Sequence, residues 1–351
     1  MTRCSKCNFL DTRPGIIFNG GVCQACTNYD KRRTVNWQER MVELAGMCRT
    51  YKSNPDIKYN CLMPVSGGKD SYTLVKIMVE DMGMRPLLVT VTDSFTHTKA
   101  GTHNLRNLIE RYKLNHWQYT INHDLFKRAT KVAFEETGEP LKFVEYAIYT
   151  IPYILAQQFH IPLVVYGENS AYEYGSSTRD SSDANIAVDA IVTKIGTERP
   201  FWTSHGVTDA EVDSILPNPK GMTPKVIFMS YYQPWSSVDN LAIAKARGFH
   251  DLTGEWKRQG TCENYEQIDS KAYMVHLWMK YPKFGFQRAA DIASRRLREG
   301  HMTLAEVKKI MTDVDPVLDP EALDDFCQTL GYTLEDFWKI AKKWDAMGVL
   351  E

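Results

Sequence analysis

The sequence predicts an α/β protein: a doubly wound parallel sheet with an N-terminal four-cysteine metal knob and a C-terminal helical extension. Three observations lead there. A short apolar run, Cys61-Leu62-Met63-Pro64-Val65, stops at Ser66-Gly67-Gly68-Lys69-Asp70-Ser71, and Leu74, Ile77 and Met78 follow at the spacing of one helix face. Apolar runs then alternate with helical patterns as far as Tyr231, the signature of parallel strands joined by helices. Two Cys-x2-Cys pairs precede that alternation.

The chain has 351 residues, is 24% charged and 43% hydrophobic, and carries a net charge of −1. That is ordinary globular material, enough for one large domain or two smaller ones. It lacks a run of roughly 18 apolar residues, and Met1-Thr2-Arg3-Cys4 lacks the apolar stretch of a signal peptide. A cytoplasmic protein without a membrane span is therefore expected. The balanced charge argues against a dedicated nucleic-acid binder, which would present a strongly basic face.

Taken in order, Cys4-x2-Cys7 and Cys23-x2-Cys26 are separated by fifteen residues, the spacing of a four-thiolate zinc site. Asp11-Thr12-Arg13-Pro14-Gly15 and Asn19-Gly20-Gly21 are turn formers that fold the two pairs back on each other. Four thiolates fill a tetrahedral shell and leave no position for water, so the ion is structural; an iron–sulfur cluster is the alternative. Asp30 to Tyr51 reads as one charged helix, with Trp37, Met41, Leu44 and Ala45 on a face and Lys31-Arg32-Arg33 at its solvated start.

At the end of the first strand, Gly67-Gly68 permits a tight turn that points successive N–H groups into one concavity, and the next helix brings its positive end there. A phosphate fits such a place. The spacing is neither Walker A nor G-x-G-x-x-G. Pro86 to Thr92 is the second strand, Gly101 to Tyr112 a helix and Asn115 to Asn122 the third strand. Asp124 caps a helix to Thr137, Phe143 to Phe159 is another, and Pro162 to Tyr166 is the fourth strand. Residues Ala171 to Lys225 are the least patterned and read as a lid or active-site insertion. Val226 to Tyr231 is the fifth strand, and Ser236 to Gly248 a helix closed by Gly248. Beyond Met302 two amphipathic helices are expected, one on Leu304, Val307 and Ile310, the other from Leu330 to Met347, with Pro316 and Pro320 between them. They suit internal packing or contact between copies of the chain, so a homo-oligomer is an expected state. Ligands of such sheets sit beyond the carboxyl ends of the strands, which places Thr92-Asp93-Ser94 and Gly167-Glu168-Asn169-Ser170 beside the loop.

Ser66 to Ser71 matches the S-G-G-x-D-S signature of the PP-loop ATP pyrophosphatases. Cys-x2-Cys-x15-Cys-x2-Cys, Pro14-Gly15, MPVSGGKDS (63–71), ENYEQIDS (263–270) and KYPKFG (280–285) together extend the likeness. From Cys4 to about Arg296 the chain resembles the N-acetyl sugar amidotransferases of bacterial surface-polysaccharide and lipopolysaccharide O-antigen biosynthesis. The resemblance implies a sheet of the adenine nucleotide α-hydrolase-like type, ATP cleaved between its α- and β-phosphates, and an acetamido group converted to an acetamidino group on an N-acetyl sugar, expected to be nucleotide-linked. It implies domains over 1–50 (zinc segment and linker helix), 51–250 (PP-loop domain) and 251–351 (helical, substrate-binding). Lys69 and Asp70 carry the chemistry; Ser66, Gly67, Gly68, Lys69, Asp70, Ser71, Asp93, Gly167, Glu168 and Asn169 hold ATP, with Mg²⁺ at Asp70.

Between Glu255 and Arg288, aromatic residues interleave with Lys, Arg, His and acids, a surface suited to an anionic, ring-shaped substrate. Glu263, Asn264, Tyr265 and Asp269 are its expected contacts, with His276, Lys280, Lys283 and Arg288 on the sugar's carboxylate or diphosphate. A glutaminase needs an activated Cys with His and carboxylate partners, and Cys48, Cys61, Cys262 and Cys327 lack that context. The resemblance agrees, implying ammonia from a separate glutaminase like that of histidine biosynthesis, working with a cyclase-like barrel subunit. The alternative reading is a PP-loop enzyme that thiolates tRNA through the same adenylation step; a non-enzymatic nucleotide-binding scaffold is the rival from another class.

Overall fold

The structure, a computed structural model, describes residues 1–55, 57–169, 173–175 and 185–350. The knob begins with a two-stranded ribbon, β1 (Phe18–Asn19) antiparallel to β2 (Val22–Cys23). Gly20 and Gly21 turn it with φ of +56° and +77°, the doubly left-handed geometry that glycine supplies without strain. Where one helix was expected there are two, α1 (Gln24–Arg32) and α2 (Trp37–Lys52). The break has a cause: the Asn36 side chain accepts from the Glu39 N–H at 3.2 Å and starts a new helix. Lys31 and Arg32 consequently close α1 instead of opening a helix.

The five-stranded sheet contains β3 (Cys61–Pro64), β4 (Pro86–Thr92), β5 (His116–Thr120), β6 (Leu163–Tyr166) and β7 (Lys225–Phe228). Their order is β5-β4-β3-β6-β7 and every pairing is parallel, the doubly wound arrangement expected. Leu62, Leu88, Val164 and Ile227 are fully buried along it, as strands covered on both faces require. The helices of this domain are α3 (Lys69–Val75, running on as a π-helical turn to Asp81), α4 (Lys99–Tyr112), α5 (His123–Thr137) and α6 (Lys142–Gln158). They are followed by α7 (Asn185–Ser204), α8 (Asp209–Asp213), α9 (Met229–Tyr232) and α10 (Ser237–Lys245).

Several boundaries differ from the sequence reading. Asn122 caps α5, its side chain accepting from the N–H groups of Asp124 and Leu125, and Asp124 sits in the first turn. The fifth strand stops at Phe228 because Ser230 N–H turns to Gly167 O at 3.0 Å. The stretch expected to be irregular contains the twenty-residue α7, whose helical pattern Gly196 and Pro200 obscure. Of the lid reading, residues 171–172 and 176–184 lie outside the described residues.

The C-terminal region is α11 (Tyr273–Trp278), α12 (Lys280–Phe284), α13 (Arg288–Arg298), α14 (Leu304–Asp313), α15 (Pro320–Leu330) and α16 (Leu334–Lys343). The tail thus holds three helices where two were expected: Pro320 opens α15 at its first turn, beneath the Asp319 cap. Phe326 and Phe337 bury themselves against Phe134 of α5, tying the tail to the sheet domain. The knob is not a free appendage. Its Phe9 meets Phe286 edge-on at 4.8 Å, Ser294 donates to Cys7 O at 3.2 Å, and Arg13 pairs with Asp291, all on or beside α13. Among the described residues, no helix is long and apolar enough to cross a membrane.

Candidate active site

β3 lies between β4 and β6, so the loop after Pro64 leaves the sheet where it winds in both directions. Val65 N–H still donates to Val89 O at 2.8 Å; the chain then turns, with Ser66 N–H donating to Ser71 Oγ and Gly68 N–H to Ser66 Oγ, both at 3.2 Å. Gly67 has φ +84°, and a Cβ there would lie 2.6 Å from the backbone N of Leu105 in α4. Gly68 begins α3 with no side chain to cap it. Replacing Gly67 with Ala is expected to cost about 1–3 kcal/mol in backbone strain alone, and more once α4 has to move. A thermal melt with and without ATP checks this: the variant should melt lower and lose the ATP-induced shift.

Lys69 points into the protein. Its Nζ donates to Asp70 Oδ2 at 2.7 Å and lies 3.4 Å from Glu266, while Asn240 Nδ2 of α10 donates to Asp70 Oδ1 at 2.6 Å. Glu266 is 4% exposed and accepts from Arg288, Arg295 and the Ser237 hydroxyl. Burial works against its charge, yet Arg295, Lys69 and Arg288 hold the carboxyl well below the usual range. Burial likewise opposes the Lys69 ammonium, and Asp70 and Glu266 more than compensate. Glu168 stands 3.7 Å from Arg295, and burial together with Asp70 pushes its carboxyl up. Two carboxylates converging beside a phosphate-type loop are the oxygen donors a hard divalent cation takes.

A cavity of about 800 Å³ opens beside the loop, lined by Ser66, Ser71, Asp93, His97, Asp269 and Tyr273 among others. That is within the range of small-molecule sites. Asp93, at the end of β4, accepts from Phe95 N–H at 3.0 Å and from the Ser270 hydroxyl at 2.7 Å. Burial and the neighbouring Asp93 push Asp269 up to about 7.

The structure therefore brings together Ser66 to Ser71, Asp93, Glu168, Asp269 and Arg288. Gly167 and Asn169 fix the turn that aims Glu168: Gly167 O and Asn169 N–H both bond Ser230, and a Cβ on Gly167 would lie 2.9 Å from the Trp235 ring. Glu263 is turned inward, accepting from the N–H groups of Tyr265 and Glu266 and from Arg258 at 2.6–2.8 Å, and so sets the loop that carries Glu266. Asn264 bonds Thr253, and the Tyr265 hydroxyl accepts from Arg296; neither lines the cavity. Lys283 donates to Thr137 O and Glu139, also away from it. His276 is buried against Leu141 and Glu145, and Lys280 lies 3.5 Å from Asp291.

Sequence reasoning passed over Glu266, Arg295, Asn240 and Ser237. One signal was available: Arg288 and Arg295 are seven residues apart, on the same face of one helix.

In the knob, all four cysteines are buried, with Cys7 and Cys23 sulfurs 3.6 Å apart, Cys4 and Cys26 3.9 Å apart, and every pair within 4.8 Å. Metal–sulfur bonds of about 2.3 Å in a tetrahedron put sulfurs about 3.8 Å apart. The donors fit one ion.

Residues 259–347 match the family described as LPS biosynthesis protein WbpG-like, C-terminal domain. No curated protein matches the chain. Among solved structures, the NMN synthetase from Francisella tularensis aligns at a TM-score of 0.36 and 11% identity, over 86% of this chain and 96% of that one. The NH3-dependent NAD synthetase from Campylobacter jejuni gives 0.32 and 11%, over 52% and 92%. The U34-tRNA thiolase NcsA from Methanococcus maripaludis, described with its [4Fe-4S] cluster, gives 0.31 and 11%, over 95% and 96%. Overlaps this loose transfer no substrate, cofactor or partner. The matched segment supplies Glu266, Arg288 and Arg295, which complete the charged cluster around Lys69. Over residues 259–347, the chain is thus similar to the C-terminal domain of the WbpG-like lipopolysaccharide-biosynthesis proteins.

Proposed function

We propose that the chain is an ATP-dependent amidotransferase that converts the acetamido group of a nucleotide-linked N-acetyl sugar to an acetamidino group, releasing AMP and pyrophosphate. One observation carries the reading. The SGGKDS loop and the WbpG-like domain meet in a single cluster, Lys69 and Asp70 from one, Glu266, Arg288 and Arg295 from the other.

An amide carbon is a poor electrophile and its oxygen a poor leaving group. Attack of that oxygen on the α-phosphorus of ATP expels pyrophosphate and makes AMP the leaving group; ammonia then adds to the carbon and AMP departs. The chain's part is electrostatic. Loop N–H groups and Lys69, fixed before reaction by Asp70 and Glu266, meet the charge that develops on the departing pyrophosphate. The adenosine side of ATP takes the cavity between Asp93, His97 and Asp269. Asp70 and Glu168 would hold Mg²⁺, which supplies charge neutralisation at the phosphates. The four cysteines would hold Zn²⁺ structurally; their tight grouping favours one ion over a multi-iron cluster.

The remaining thiols do not suit glutamine hydrolysis. Burial pushes Cys48, Cys262 and Cys327 each up to about 11, and Cys61 well above the usual thiol range, the opposite of an activated nucleophile. A separate glutaminase, acting with a cyclase-like barrel subunit, is the proposed source of ammonia. Incubation of the purified chain with ATP, Mg²⁺, ammonium chloride and a panel of nucleotide-linked N-acetyl sugars tests the whole reading. AMP, pyrophosphate and a product in which one oxygen has given way to NH are expected. ADP and phosphate, or turnover only with tRNA and a sulfur donor, would overturn it, and glutamine-dependent activity of the chain alone would overturn the partner.

A further inference from the structure

Two side chains on one face of α10 reach the two acids that flank Lys69. Ser237 and Asn240 are three residues apart and buried, at 3% and 2% exposure. Their helix is fixed at its start, where Ser236 Oγ accepts from Asp239 N–H at 3.3 Å, and it packs on α3, which begins at Lys69. Ser237 donates to Glu266 Oε1, and Asn240 Nδ2 donates to Asp70 Oδ1 at 2.6 Å. An ionised carboxylate only accepts, so it is the NH2 end of the Asn240 amide that faces Asp70.

The two acids differ in their surroundings. Glu266 is sealed, with both oxygens in ion pairs to arginine. Asp70 keeps 35% of its side-chain surface open. A carboxylate has about four lone-pair positions. Lys69 takes one on Oδ2 and Asn240 one on Oδ1, which leaves the others for a cation on the open side. Asn240 is neutral, so it fixes the direction of the carboxylate without cancelling the charge that attracts the cation. A lysine or arginine in its place would do both.

Resting on the ATP and Mg²⁺ assignment above, we propose that Asn240 is a positioning residue for the metal, holding Asp70 so that its free lone pairs stay available to Mg²⁺ beside the phosphate loop. A hydrogen bond from outside the ligand shell is what orients a ligating carboxylate. Without the amide, Asp70 is tethered by Lys69 alone and its carboxylate turns freely toward that ammonium. Ser237 has no part in this, because its hydroxyl ends on Glu266.

Binding of α,β-methylene-ATP, which cannot be cleaved between its α- and β-phosphates, separates this role from turnover. Calorimetry in EDTA reports the affinity of the nucleotide alone; a series of titrations at rising Mg²⁺ reports how much the ion adds and the Mg²⁺ concentration that gives half of that gain. Asn240→Leu removes the donor at similar size, and Asn240→Ala removes it without bulk. In both, the half-gain concentration should rise about tenfold or more. Affinity in EDTA should stay at the wild-type level, which also shows that the variants are folded. Ser237→Ala, on the same helix face, should leave the half-gain concentration in place.

An unchanged half-gain concentration in both Asn240 variants, or an equal rise in Ser237→Ala, overturns the role of Asn240 alone. So does an equal loss of affinity with and without Mg²⁺, which assigns Asn240 to the fold. Wild type that gains nothing from Mg²⁺ overturns the metal at Asp70 and the proposal with it, and wild type that does not bind the analogue overturns the ATP site as well. None of these titrations contains a sugar, so the amidotransferase reading stands or falls separately.

Discussion

Glu266→Gln is expected to cost about 3–5 kcal/mol of stability and to abolish ATP turnover. The carboxylate is the shared counter-charge of Lys69, Arg288 and Arg295, and all four side chains are nearly sealed from water. Removing one member of a buried ion cluster leaves the others charged and unmatched, which costs far more than an exposed pair is worth. Because Lys69 is held on one side by Asp70 and on the other by Glu266, the loss also releases the ammonium from the phosphate loop. The pH sign follows from the direction of the shift. A carboxyl held below its ordinary value contributes fully above the unfolded value of about 4.3 and loses that contribution as pH falls toward the folded one. Urea unfolding should therefore show a wide gap between wild type and Glu266→Gln at neutral pH, narrowing in acid. A gap that does not change with pH would mean that the loss is one of packing.

Loss of the knob's metal, by chelation or by Cys23→Ser, has the second large expected effect. An ion held by the four cysteines would order a segment with a small core of its own, and binding energy of that kind is folding energy. It reaches the active site by a short route. Cys7 O takes the Ser294 hydroxyl, Phe9 packs on Phe286 and Arg13 pairs with Asp291, and the same helix carries Arg288 and Arg295 to Glu266. The metal-free protein should lose about one ion per chain, become sensitive to proteases before residue 33, melt several degrees lower, and turn over ATP poorly although none of the cysteines touches the cavity. Full turnover by a demonstrably metal-free chain would show that the knob and the site are independent.

The sheet was legible because its strands are buried on both faces and read as continuous apolar runs, such as Pro86 to Thr92, ended by polar residues. The phosphate loop was legible because Gly67 does what other residues cannot, taking a left-handed φ hard against α4, and a helix opens directly behind the glycine pair. Cap chemistry was harder to place. Asn36, Asn122 and Asp319 each redefine a helix start, and nearby candidates of the same chemistry compete in the sequence.

The charged cluster was the least legible part, since no local pattern tells Glu266 from its neighbour Glu263. Both are buried acids in one loop; one holds its own backbone in place and the other faces three cations. Only the arrival of Arg288 and Arg295 from α13, with Lys69 opposite, assigns the roles. The same is true of Lys280 and Lys283, three residues apart, of which one reaches Asp291 of α13 and the other ties down the end of α5.

In the proposed reaction the oxygen lost from the sugar leaves on AMP, and heavy oxygen placed in the acetamido group follows it. After turnover with ATP, Mg²⁺ and ammonium chloride, mass spectrometry should find the label in the phosphoryl group of AMP and absent from both pyrophosphate and the acetamidino sugar. Label that stays with the sugar, or appears in pyrophosphate or water, would contradict adenylation of the acetamido oxygen and with it the function proposed for this site.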